Sequence, residues 1–248
     1  MTLTAVIAGK GAPGATTVTL AAAWSSQRPV IVADADPFGG DVLPGMLAGR
    51  ADNSGGLLQW HVATRRAGAL EAAARLASFG VAVSSEVPMT VVAGIQSPSQ
   101  AGTLAGSWDR IATALEHVED HDVVVDLGRA HDQSAWPIVS AAEKTLLVVQ
   151  PTTRSVQSAL WVAAQLEQRL GDLDPVQLVV NGPGPYTPSE VGEALRFETH
   201  ETIPTDRKAA AMLTEGAPFV ERSLRRSRLV RAATGLLNPA ATRQGVPA

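Results

Sequence analysis

No cysteine occurs among the 248 residues. That excludes a disulfide framework, a cysteine nucleophile and any zinc site built on thiolates, and it fits a reducing cytoplasm. No apolar run approaches the roughly 20 residues needed to cross a bilayer. A strand-like run starts at Leu3, so no signal peptide is expected ahead of it. Aromatics make up only 4% of the chain. Its five tryptophans (Trp24, Trp60, Trp108, Trp136, Trp161) are dispersed and read as core or interface anchors, not as a stacking platform. Positive charge is not in excess, and a formal net charge of −4 argues against a uniformly basic nucleic-acid binder. His61, His117, His121, His131 and His200 show no metal-ligand spacing, and no Ser/His/Asp set can be argued.

Present instead is a regular alternation of strand-length apolar runs and helix-length segments. Strands are predicted at Leu3–Ala8, Pro29–Ala33, Met89–Ala93, Asp122–Leu127, Thr145–Gln150, Val176–Val180 and Thr199–Ile203. Most are continuous apolar runs, as strands buried on both faces of a parallel sheet are. Helices are predicted at Thr16–Ser26, Leu57–Thr64, Ala69–Ala77, Ala101–Glu119, Ala135–Ala142, Ser155–Leu170, Pro188–Phe197, Arg207–Thr214 and Pro218–Leu237. The expected fold is a single α/β domain over residues 1–238, a doubly wound, mainly parallel sheet flanked by helices. The loops after Ala8, Ala33, Leu127 and Val180 should then meet at the carboxyl edge. Gly39 to Gly56, rich in Gly, Pro and Asp, reads as a mobile surface segment, and residues 239–248 read as a disordered tail.

The chain is organised around Gly9-Lys-Gly-Ala-Pro-Gly14-Ala-Thr-Thr17, a glycine-rich turn between a strand and a helix. Glycines let backbone N–H groups converge, and a helix start adds partial positive charge, so the turn suits a phosphate. Its spacing follows G-x-x-x-x-G-K-[ST] with Ala15 in the lysine place and Thr16 supplying the hydroxyl. Read alone, the same residues also fit a plain strand-to-helix turn. Asp34 and Asp36 end the next strand in Asp-Ala-Asp-Pro-Phe-Gly, and Asp126 and Gly128 end a later one in Asp-Leu-Gly. Asn181 ends another before a Gly-Pro turn, where it either caps the turn or offers an amide to a ligand.

Lys10 to Thr17 resembles the deviant Walker A motif of the MinD/ParA family of ATPases, Lys-Gly-Gly-x-Gly-Lys-Thr-Thr, with Ala12 for glycine and Ala15 for lysine. The resemblance continues through Asp34–Gly40 (switch I), Val123–Gly128 (Walker B and switch II), Leu178–Asn181, and Ile203-Pro204 with the Gly216-Ala-Pro218 that follows. It implies a P-loop fold and an ATP and Mg2+ site. Gly11, Ala12, Gly14, Ala15, Thr16, Thr17, Gly128, Asn181 and Pro204 would contact nucleotide, and Thr16, Asp34, Asp36 and Asp126 would hold the metal. Asp36 matches the hydrolytic aspartate. Lys10 matches the lysine that reaches across an ATP-dependent homodimer. The implied function is an ATP-regulated switch that positions or assembles a partition complex, a pilus or secretion machine, or a division factor. Hydrolysis should be weak or absent because the in-cis lysine is missing. The pilus-localisation (CpaE/TadZ-like) branch, which tolerates degraded nucleotide sites, and a non-hydrolysing scaffold both fit this pattern.

From Gly216 onward one acid, Glu221, faces six arginines, five of them (Arg222, Arg225, Arg226, Arg228, Arg231) on the last predicted helix. On one helical wheel Phe219, Val230 and Leu237 share a face, Arg226 falls close to it, and Leu224 lies away from it. That separation is poor for a membrane helix. A core-packed helix with a solvated arginine side ranks first, a non-specific DNA contact second and a membrane contact third. The protein is expected in the cytoplasm, with the nucleoid or a membrane surface as places it could attach.

Overall fold

The computed structural model describes residues 1–11, 13–40, 42–48, 55–96, 98–132 and 134–238. In chain order the elements are β1 (Leu3–Ala8), α1 (Ala15–Ser25), β2 (Val30–Asp34), α2 (Leu57–Thr64), α3 (Ala69–Arg75), β3 (Val81–Ala82), β4 (Met89–Val92), α4 (Pro98–Ala105), α5 (Trp108–Glu116), β5 (Asp122–Arg129), α6 (Trp136–Ala141), β6 (Lys144–Val149), α7 (Thr153–Leu170), β7 (Val176–Asn181), α8 (Pro188–Leu195), β8 (Thr199–Ile203), α9 (Arg207–Thr214), α10 (Glu221–Arg225) and α11 (Arg228–Ala232). The strands form one sheet in the order β3-β4-β2-β5-β1-β6-β7-β8. Every pairing is parallel except β3 with β4.

Side chains of each central strand alternate between two dry layers, as a period of two requires. Leu3, Ala5 and Ile7 of β1 pack on one face with Trp60, Trp108, Ile111, Val139, Val162 and Leu166. Val6 and Ala8 pack on the other with Leu20, Trp24, Met212, Leu213 and Leu229. Burying each such aliphatic side chain is worth about 1.5–3 kcal/mol. This is why the strands read as unbroken apolar runs. Helix α1 is buried nearly all round, because it lies between the sheet and the C-terminal helices α9 and α11. The predicted doubly wound fold is therefore the observed one.

Four expectations need correction. The predicted helix Ala101–Glu119 is two helices, broken at Gly106-Ser107, where the Ser107 N–H turns back to the Leu104 carbonyl (2.8 Å) and lets Leu104 and Trp108 both bury. Strand β3 was not predicted, since two residues on a sheet edge leave no period to read. Within the supposed mobile segment, Val42, Met46 and Leu47 are at most 2% exposed and fill the α1-side core. Finally, Pro218–Leu237 is not one helix. It breaks at Arg226-Ser227, and the Ser227 hydroxyl accepts from the Val230 N–H (3.1 Å) to start α11. The single helical wheel thus does not apply. Leu224, Leu229, Val230, Leu236 and Leu237 all face the core, Phe219 meets Trp24 edge-on at 5.1 Å, and the five arginines stay exposed. Four of the five tryptophans are buried; Trp161 is 41% exposed. The predicted tail, 239–248, lies outside the described residues. Among the described residues, no helix is long and apolar enough to cross a membrane.

The last turn is held by Lys144 of β6. Its ammonium, on a residue only 2% exposed, donates to the carbonyls of Leu236 and Asn238, each at 2.5 Å. Burial pulls its pKa down to about 8, against the opposing pull of Asp122 and Glu143. The unfolded chain therefore holds this proton up to about pH 10.4, while the folded chain releases it near 8. Between those values the unfolded state binds more protons, so the Lys144 contribution to stability rises with pH and is lost as pH falls through 8. The melting temperature of the native protein should rise relative to that of Lys144→Met between pH 8 and 10. A pH-independent difference would contradict this.

Candidate functional site

The parallel sheet brings the carboxyl ends of β1, β2, β5 and β7 to one edge. The chain leaves β1 at Ala8 and enters α1 through Gly14, whose φ of +86° is left-handed backbone open to glycine. A Cβ at Gly14 would also stand 2.5 Å from Asn181 Nδ2. That amide donates to the Pro13 carbonyl (2.7 Å) and fixes the loop from the end of β7. From the α7 side, the Ser158 hydroxyl accepts from the Lys10 N–H (2.5 Å). The loop is thus clamped at two points. Its first-turn N–H groups have no acceptor inside the helix, and the residues that carry them line an open cleft of about 870 Å3.

Ala8, Gly9, Pro13, Gly14, Ala15, Thr16 and Thr17 form one wall of this cleft, and Asp36, Gly128, Arg129 and Thr214 form the rest. Of the residues singled out in the sequence, Gly14, Ala15, Thr16, Thr17, Asp36 and Gly128 come together here. Lys10 is exposed on the rim and Gly11 half-buried beside it, while Ala12 lies outside the described residues. Asn181 supports the loop from beneath. Pro204 follows Ile203, the register partner of Asn181, and is half-buried on the same edge without lining the cleft.

The acids divide into two kinds. Asp36 lines the cleft and accepts from the Phe38 N–H (2.8 Å). Its carboxylate lies so close to Gly128 (φ +59°) that a Cβ there would meet Asp36 Oδ2 at 2.0 Å. Asp34 and Asp126, register partners on β2 and β5, are each 1% exposed and outside the cleft. Asp126 accepts from the Gly128 N–H (2.9 Å). Asp34 sits beneath Gly40 and Gly94 and accepts from the Asp36 N–H (3.2 Å). Burial, and secondarily the charge of Asp126, hold the Asp34 carboxyl well above the usual carboxylate range.

Arg129 and Thr214 escaped the sequence reading. Strand β5 runs two residues further than predicted, to Arg129, and a signal was present in the arginine that directly follows Gly128. Thr214 closes α9, distant in sequence, and no local pattern points to it.

No protein-family model and no curated protein matches this sequence. Solved structures do match. A ParA family ATPase from Chlorobium tepidum superposes with a TM-score of 0.71 at 15% identity, covering 94% of this chain and 98% of that one. The chain has the MinD/ParA fold. The septum site-determining protein MinD of Pyrococcus horikoshii, complexed with Mg-ADP, gives 0.71 at 19% identity over 94% and 93%. MinD in the MinC:MinD complex of Aquifex aeolicus gives 0.68 at 20% over 93% and 91%. Identities this low establish the MinD/ParA fold and not an activity.

A nucleotide and a magnesium ion can be tested against the residues in place. Magnesium keeps several waters and takes few protein ligands beside phosphate oxygens. The Thr16 hydroxyl and the Asp36 carboxylate, on opposite walls of the cleft, suit that role. Asp34 and Asp126 do not line the cleft. Among the described residues, no group of three or more His, Cys, Asp or Glu could hold a metal unaided. The site therefore fits a metal that arrives with phosphate.

Replacing Gly14 should be costly at both levels. Gly14→Ala forces a left-handed alanine and displaces Asn181 from the Pro13 carbonyl, a loss of about 1–3 kcal/mol in stability. Urea denaturation should show that loss, and an unchanged midpoint would remove Gly14 and Asn181 from the loop's support.

Proposed function

We propose that the protein is an ATP-binding, dimerising switch of the MinD/ParA kind that positions or assembles a cellular structure, with slow hydrolysis because residue 15 is alanine. The observation that carries the reading is the single cleft. A glycine loop and helix start from β1, Asp36 from the end of β2 and Gly128 from the end of β5 all converge on it. Backbone N–H groups and Thr16 would receive the phosphates, with magnesium between Thr16 and Asp36. Asp36 would orient a water. Asp126 would fix the Gly128 N–H, and Asn181 and Pro204 stand on the side where a base would lie. MinD of P. horikoshii was obtained with Mg-ADP, which agrees with this assignment.

A P-loop lysine places a point charge on the β and γ phosphates. Without it, an isolated subunit should hold ATP weakly. Lys10, exposed at the rim while its backbone is pinned to Ser158, is available to a partner subunit. Dimer population would then be the output. The five exposed arginines of α10, its cap Arg226 and α11 form a basic surface that could meet DNA, a partner protein of the MinC kind, or a membrane. A specific observation also favours a scaffold that binds no nucleotide: the Asp34 carboxyl is buried beneath Gly40 and Gly94 and does not line the cleft.

Sedimentation with Mg-ATP distinguishes the two readings. The native protein should shift from monomer to dimer and Lys10→Ala should not. No shift in the native protein, or an equal one in the variant, overturns the switch reading. Ala15→Lys should tighten ATP by about tenfold or more if the remaining site is intact, measured by calorimetric titration. An unchanged heat trace would favour the scaffold.

A further inference from the structure

Strand β5 carries an irregularity at its carboxyl end. Val6 is opposite Asp126, but Ala8 is opposite Arg129, so β5 spends three residues where β1 spends two. Gly128, at φ +59°, is the extra residue of this bulge. The consequence for side-chain direction follows from the period of two. Val125 and Leu127 face the α2–α8 layer, and Val124 faces α1. Without the bulge, residue 129 would continue the Val125 and Leu127 series, away from α1. With it, Arg129 pairs with Ala8, which faces α1, and lines the cleft beside Gly14, Ala15, Thr16 and Thr17. The Ala130 N–H donates to the Ala8 carbonyl (2.7 Å) and locks this shifted register.

The cation so placed lines the same cleft as residue 15, where the lysine charge is missing. Its guanidinium carbon lies 4.6 Å from the centre of the Phe38 ring, two residues beyond Asp36. Phe38 also meets His131 edge-on at 5.0 Å. A guanidinium over an aromatic ring is weakly held in an exposed position. It presents five donors in a plane, which suits paired phosphate oxygens.

We infer that Arg129 is an in-cis phosphate-binding residue, turned into the cleft by the Gly128 bulge to supply the charge that Ala15 does not. This rests on the reading of the cleft as a nucleotide site. It goes beyond that reading in assigning a cation from the same subunit, on β5, where the loop's own Lys10 is assigned to the partner site. Moving Arg129 from Phe38 to a phosphate would release the contact that ties the loop after β2 to the end of β5, so occupancy of the cleft would be felt at Phe38.

The test is calorimetric titration of the full chain with Mg-ATP and with AMP. The variants are Arg129→Ala, Arg129→Lys, Arg154→Ala and the double variant Ala15→Lys/Arg129→Ala, with melting temperatures taken alongside. Arg154, whose Cδ approaches Gly11 from outside the cleft, controls for charge in general. Arg129→Ala should weaken Mg-ATP by about tenfold to a hundredfold and AMP by about threefold or less. Arg129→Lys should lose less, Arg154→Ala less still, and Ala15→Lys should restore the double variant. An Arg129→Ala protein that binds Mg-ATP like the native one overturns the inference while leaving the nucleotide site standing. So does an equal loss for AMP and ATP, an equal loss in Arg154→Ala, or no recovery in the double variant. Native protein that binds no nucleotide overturns both.

Discussion

Strand β1 is hydrogen-bonded on both sides, to β5 and β6, and buried on both faces. That constraint decides what lies at its carboxyl end. A parallel strand in the middle of a sheet delivers its following loop to the same edge as those of its neighbours. The loop cannot slide, because one residue of slip would turn every apolar side chain of β1 to the wrong layer. The glycine loop, Asp36, Gly128 and Asn181 therefore meet because the core requires it. Asn181 and Ser158 then only refine the position of a loop already fixed in register.

This dependence explains what was legible in the sequence. Largely apolar runs at Leu3–Ala8, Asp122–Leu127 and Val176–Val180 identify central parallel strands, and the residue after each run is then a candidate for the edge. Gly14, Thr16, Asp36, Gly128 and Asn181 follow from that logic. What was illegible is of another kind. The break at Arg226-Ser227 depends on a serine capping against the pull of an otherwise helical stretch. The burial of Val42, Met46 and Leu47 in a turn has no periodicity to announce it. The enclosure of Asp34 beneath two glycines, Gly40 and Gly94, needs the loop after β4 as well as that after β2. The bulge at Gly128 is the most consequential of these, since it reverses the side on which Arg129 emerges.

The cleft and the basic C-terminal surface are held by opposite means. At the carboxyl edge, backbone groups and a few polar side chains stay open to a ligand. On the α1 side of the sheet, α10 and α11 are pinned by apolar contacts and the turn after α11 by the buried Lys144, while the arginines face outward. Helix α1 is the common element. It starts at the glycine loop, and the helices packed along it include α9, which carries Thr214 to the cleft, and α11, which carries Arg228 and Arg231 to the surface.

A crystal structure of the protein grown with Mg2+ and AMPPNP tests the central claim most directly. The account expects the phosphates on the backbone N–H groups between Gly14 and Thr17, with the metal between Thr16 and Asp36. Well-ordered crystals under saturating nucleotide with that cleft empty, or nucleotide seated elsewhere, would contradict it.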